Sequence, residues 1–142
     1  MNKIQVAAGA LNQTPLDWKG NLANILDSIE AARSAGAGIL CLPELCIPGY
    51  GCEDAFLGMG VAETSLEILQ EIAARSQGIA VSVGLPLSYQ NSLFNAAAFI
   101  VDGQIAGFVC KRHLPGDGIH YEPRWFKSWP AEAVDTIRVG GN

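Results

Sequence analysis

The stretch LFNAAAFIVDGQIAGFVC, residues 93–110, holds two apolar runs separated by Asp102-Gly103. An Asp-Gly pair between apolar runs is a strong hairpin signal, because both residues tolerate the positive φ that a tight turn needs. Strands are therefore expected over 93–101 and 104–110, paired antiparallel. Upstream, Ile79–Leu85 reads as a third strand, and residues 63–74 place Leu66, Leu69, Ile72 and Ala73 on one side of a helix that Gly78 ends. Further back, Gly38-Ile39-Leu40-Cys41-Leu42 is an apolar run cut by Pro43, the pattern of a strand buried on both faces. A first helix carries Leu22, Ile25, Leu26 and Ile29 behind Asp17 as N-cap, and Gly36 and Gly38 stop it. Lys3 to Gly9 reads as the first strand. The order β-α-β-α-β-β-β predicts an α/β fold with helices layered on a sheet, and the hairpin makes that sheet mixed rather than all parallel.

Composition agrees. The chain has 142 residues, 49% hydrophobic and 16% charged, with a net charge of −5. A chain of this size hides roughly two-thirds of its unfolded surface, enough for a real core. The acidic balance argues against nucleic acid as a partner, since such binders carry a basic face. No apolar run approaches the ~20 residues of a membrane span, and Met1-Asn2-Lys3-Ile4 lacks a signal peptide's apolar stretch, so a cytoplasmic location is expected. Residues 1–110 carry four basic and ten acidic side chains, whereas 111–142 carry five and four. That change falls where the composition turns to Gly, Pro, His, Tyr and Trp, which marks a long functional loop.

Cys41, Cys46, Cys52 and Cys110 form no C-x-x-C pair and are read as buried free thiols. No metal site is expected, since His113 and His120 are the only histidines and neither has a paired acid at a diagnostic spacing. Both read as structural or solvent-facing. Gly49-Tyr50-Gly51 and Gly116-Asp117-Gly118 are turn chemistry rather than phosphate loops, and no G-x-S-x-G elbow is present.

Three charged residues stand out. Glu44 directly follows the apolar run and is flanked by Leu42, Leu45 and Ile47, which suits a desolvated carboxylate acting as a general base. A solvated loop acid, or a partner for backbone amides, is the plainer alternative. Lys111 ends the strand 104–110; it either snorkels to water or faces a pocket where it steadies an oxyanion. Glu122 lies among Tyr121, Trp125 and Phe126, as in an aromatic-walled pocket closing back on Lys111; its alternative is a salt bridge to Arg124 or Arg112.

Together these residues carry a resemblance. Leu42-Pro43-Glu44-Leu45 with Pro48-Gly49-Tyr50, then Lys111-Arg112-His113-Leu114-Pro115, then Tyr121-Glu122-Pro123-Arg124-Trp125-Phe126, resemble the nitrilase (carbon–nitrogen hydrolase) superfamily over essentially the whole chain. The run Gly49-Tyr50-Gly51-Cys52-Glu53-Asp54 looks more narrowly like the glutaminase domain of glutamine-dependent NAD⁺ synthetases, as does the segment from Gly116 to Phe126. The resemblance implies part of an αββα sandwich, a half that pairs with a second one, with residues 1–142 as the N-terminal portion of a glutaminase domain. It also implies Glu44 as general base, Lys111 as the lysine that steadies the tetrahedral intermediate, and Glu122 as the second glutamate. Glutamine is the implied substrate. The nucleophilic cysteine of that family follows the lysine motif by some tens of residues, so it is expected beyond Asn142 and none of the four cysteines takes its place. ATP and Mg²⁺ are implied only for a separate synthetase part, and no cofactor for this segment. An open apolar sheet face and an unpaired edge imply a homo-oligomer. Two other readings stay open: a different amidase of the same superfamily, and a non-catalytic binding or assembly module.

Overall fold

A computed structural model describes residues 3–58, 60–118 and 121–139. His120 lies outside the described residues. The chain forms a five-stranded mixed sheet in the spatial order β1-β2-β3-β4-β5, built from Val6–Ala8, Ile39–Cys41, Ala80–Tyr89, Ser92–Val101 and Gln104–Cys110. The first two pairings are parallel and the last two antiparallel. Helices α1 (Trp18–Ser34) and α2 (Val61–Ala74) supply the parallel crossovers, and a four-residue helix α3 (Glu122–Trp125) follows β5. The fold is the α/β arrangement expected from the sequence, one helical layer on one mixed sheet.

Local chemistry explains the elements. The Asp17 carboxylate accepts from Gly20 N at the start of α1, and Gly36 takes φ 79° just past its end. Asp102 (φ 48°) and Gly103 (φ 81°) make the expected tight turn. A second tight turn joins β3 to β4 through Gln90 and Asn91, both at positive φ. Neither is glycine, so the signal there is weak. β3 also runs four residues past the expected Leu85, through Pro86 to Tyr89. Pro86 is tolerated because β2 has already ended at Cys41, so its missing N–H leaves no ladder partner unsatisfied on that side.

The core lies between the helices and one sheet face. Ile25 and Ile29 of α1 and Leu69 and Ile72 of α2 pack with Leu40, Val81, Val83, Leu85, Ala98 and Ile100. Side chains alternate along a strand, so the intervening residues point to the other face, which no helix covers among the described residues. Val6, Phe99, Val101 and Val109 are exposed there. This corrects the expectation of a second strand buried on both faces: Leu40 is buried, but Cys41 is exposed. Cys46 and Cys52 are buried free thiols as expected, whereas Cys110 is half-buried.

A second, smaller core holds Leu45, Cys52, Phe56 and Phe126. It welds a 3-10 segment, Tyr50–Leu57, to α3, with Phe56 and Phe126 ring centroids 5.0 Å apart. Between the two cores the chain turns sharply after β2, and the turn presses on β3. A Cβ placed on Gly84 would lie 2.3 Å from Leu45 N and 2.6 Å from Pro43 O. Both neighbours are backbone, so they cannot swing aside. Gly84→Ala is expected to lower stability by about 1–3 kcal/mol, the usual cost of overpacking, as read from urea unfolding of this chain.

Candidate active site

The turn that Gly84 admits carries Glu44. Leu42 N donates to Ser82 O at 2.9 Å and Ile47 N to Gly84 O at 3.1 Å, so the turn is stitched to β3 on both sides of the acid. From the α1 side, Asn21, 1% exposed, donates its side-chain amide to Ile47 O, and Gln13 donates to Cys46 O. Leu45 sits at φ 50°, a left-handed backbone for a residue with a Cβ, directly beside the carboxylate. The flanking Leu42, Leu45 and Ile47 are buried in the two cores, while Glu44 itself is exposed. The expected desolvated carboxylate is therefore not what the turn builds. Its surroundings are set by partners instead.

Those partners converge from three segments. Lys111 leaves the end of β5, with its backbone N–H held by Asn95 O at 2.8 Å. Its Nζ donates to Glu44 Oε1 at 2.6 Å and to Glu122 Oε1 at 3.0 Å. Asn95, on β4 and 3% exposed, donates its side-chain amide to the same Glu44 Oε1. Among the described residues Glu44 Oε2 has no hydrogen-bond partner. Glu122 is 2% exposed; its Oε1 also accepts from Tyr50 Oη at 3.1 Å, and its Oε2 is buried with no partner among the described residues.

The charges act on one another. Partial burial pulls the Lys111 ammonium down, but hydrogen bonds and charge from Glu44 and Glu122 outweigh it and raise it above the ordinary lysine value. Burial and the neighbouring Glu122 carboxylate push the Tyr50 phenol up. Burial likewise pushes the Cys46 thiol up to about 12. Among the described residues, no group of three or more His, Cys, Asp or Glu side chains is placed to hold a metal ion.

Glu122 does not pair with Arg124. That arginine makes a two-pronged contact with Asp54, Nε to Oδ1 at 2.6 Å and Nη2 to Oδ2 at 2.7 Å, and Trp125 Nε1 adds a third bond to Oδ1 at 2.9 Å. The expected aromatic walls around Glu122 are thus anchors. Trp125 serves Asp54, Phe126 fills the second core and Tyr121 is exposed. Arg112 and His113 are also exposed. A groove of about 1070 Å³ runs along β5 and residues 129–139, and none of Glu44, Lys111 or Glu122 lines it. Chemistry and cavity size point to different places, and the converging charges are the more informative. The sequence alone gives no role to Asn95, Tyr50 or Asp54: Tyr50 and Asp54 stand only as members of the run Gly49–Asp54, and for Asn95 the signal is an amide inside the apolar run Phe94-Asn95-Ala96.

The carbon-nitrogen hydrolase family profile matches residues 5–141. The chain belongs to the carbon-nitrogen hydrolase family. Among proteins of this family type, it is 37% identical over 131 residues to a glutamine-dependent NAD(+) synthetase of Oryza sativa and 33% identical over 142 residues to one of Thermotoga maritima. These alignments cover 91% and 99% of this chain but 18% and 24% of the relatives, so the chain spans about a fifth of their length. The crystal structure of a glutamine-dependent NAD(+) synthetase from Cytophaga hutchinsonii superposes with a TM-score of 0.93 at 48% identity, over 94% of this chain and 23% of that one. An amidase from Nesterenkonia sp. shares the carbon-nitrogen hydrolase fold, with a TM-score of 0.77 at 24% identity over 89% of this chain and 48% of that one.

Two outcomes follow from this local chemistry. Arg124 and Trp125 hold the Asp54 carboxyl well below the usual carboxylate range. A depressed carboxyl stabilises the fold above its unfolded value, and the gain is lost as pH falls through the folded value. Asp54→Asn is therefore expected to melt lower than the native chain at pH 7, with the gap narrowing below the ordinary carboxylate range in melts recorded across pH. In the native state, iodoacetamide at pH 8 is expected to label exposed Cys41 first and to spare Cys46, as peptide mass spectrometry would show.

Proposed function

We propose that this chain is the acid-and-lysine portion of a glutamine amidohydrolase centre, the N-terminal part (residues 1–142) of a glutaminase domain that supplies ammonia for NAD⁺ synthesis. The observation that carries the reading is a single ammonium, Lys111, held 2.6 Å from Glu44 and 3.0 Å from Glu122 at the end of β5. The identities to NAD(+) synthetases support the substrate class.

In this reading Glu44 is the general base, Lys111 the electrostatic stabiliser and Glu122 the second glutamate. Glu44 takes the proton of a cysteine thiol supplied by sequence beyond this segment, and the thiolate sulfur bonds to the side-chain amide carbon of glutamine. Negative charge moves to the amide oxygen, where Lys111 steadies it. Glu44 returns the proton to the departing nitrogen, the C–N bond breaks and ammonia leaves. Water then attacks the thioester, giving glutamate and the free thiol. Glu122, buried and bound to both Lys111 and Tyr50, fixes the ammonium and keeps it charged. In this reading ATP and Mg²⁺ belong to a separate synthetase part, and no cofactor is assigned to this segment. The uncovered sheet face, with Phe99, Val101 and Val109 exposed, fits a second half-sandwich packed on it in a cytoplasmic homo-oligomer.

The test uses a hybrid in which this chain replaces the matching segment of the Cytophaga hutchinsonii synthetase. Glutamine-dependent ammonia release is expected, and Glu44→Gln and Lys111→Ala should each lower it at least about a hundredfold. This chain alone should release no ammonia above background. Turnover of simple alkyl amides but not glutamine would favour the other-amidase reading. Full activity in both variants would leave only a binding or assembly role.

A further inference from the structure

We infer that Asn95 is a positioning residue that fixes the rotation of the Glu44 carboxylate, leaving Oε2 as the oxygen that accepts the proton. The inference rests on the general-base reading of Glu44 and names what that reading requires of its neighbour. Asn95 is a polar side chain at 3% exposure in the apolar strand β4, a placement that is costly without a partner. Its partner is Glu44 Oε1, to which it donates the side-chain amide. Lys111 Nζ donates to that same oxygen at 2.6 Å. Two donors on one oxygen and none on the other, among the described residues, make the carboxylate asymmetric. The pinned oxygen has its lone pairs engaged, and the free one is left to take a proton.

The backbone adds to this. Asn95 O accepts from Lys111 N at 2.8 Å, so one residue of β4 registers the lysine through its main chain and the acid through its side chain. Opposite, Asn95 pairs with Pro86, two residues beyond Gly84, whose missing Cβ lets the Glu44 turn sit close enough for the amide to reach. Without that donor, Glu44 is held by Lys111 alone and can rotate about χ3, so either oxygen faces the reacting thiol. Lys111 itself stays in place, because its backbone anchor does not involve the Asn95 side chain.

The experiment measures kcat and KM for glutamine in the Cytophaga hybrid, with rates normalised to active sites titrated by a thiol-alkylating glutamine analogue. Asn95→Leu keeps the size and removes the donor; Asn95→Asp keeps size and polarity but turns an acceptor toward Oε1. Both are expected to lower kcat per active site at least tenfold while KM changes less than threefold. A purely structural role would instead lower the melting temperature and the number of titrated sites, with kcat per site unchanged, and would overturn the inference. If Asn95→Leu does not fold, Asn95→Asp decides alone, and native kcat in it is equally fatal. Loss of activity in Glu44→Gln alongside native kcat in both Asn95 variants rejects the positioning role only. Native activity in Glu44→Gln rejects the general-base reading and this inference with it.

Discussion

One ammonium group organises this molecule's chemistry. Lys111 Nζ reaches carboxylates that lie 67 residues before it and 11 residues after it. Three segments thereby bring charged groups to one point: the turn after β2, the end of β5 and the start of α3. Like charges on Glu44 and Glu122 would repel at this separation without the cation between them. Much of the surrounding structure serves to keep that arrangement in register.

The supporting structure is mostly backbone and apolar. Gly84 allows the Glu44 turn to lie against β3, and Asn21 and Gln13 tie the same turn to the other side. The second core of Leu45, Cys52, Phe56 and Phe126 joins that turn to α3, so Glu44 and Glu122 are braced by one small hydrophobic cluster. Asp54 adds a polar clamp over it through Arg124 and Trp125. Strain at Leu45, and at Glu53 with φ 49° and ψ −129°, lies within this braced region, where surrounding contacts hold conformations the residues would not choose alone.

How far the sequence discloses this depends on distance along the chain. The Asp102-Gly103 turn, the Asp17 cap and the 3.6-residue periodicity of α1 and α2 are local, and their elements sit where local chemistry places them. Glu44 and Lys111 stand out because each follows an apolar strand, but position alone leaves plainer alternatives open and only the motif resemblance gives them roles. The contacts of Asn95 and Asp54 are not legible, since their partners are 51 and 70 residues away and nothing near either residue names those partners. The 3-10 segment Tyr50–Leu57 lacks a helical repeat and bends at Glu53, so no periodicity marks it. The run Gly38–Leu42 misleads in another way: apolar residues such as Cys41 also line the exposed face of the sheet.

The sheet's topology gives these parts a history as well as a position. β3, β4 and β5 form a meander of short turns, whose pairings close loops of few residues and so form fast; the parallel pairings of β1 and β2 must first close loops spanning whole helices. Asn95 and Lys111 both belong to the fast part, and Glu44 to the slow part. A folding chain thus assembles the amide and the ammonium before the acid arrives to meet them. The order in which the charges are expected to come together thus follows from which side of the sheet each one comes from.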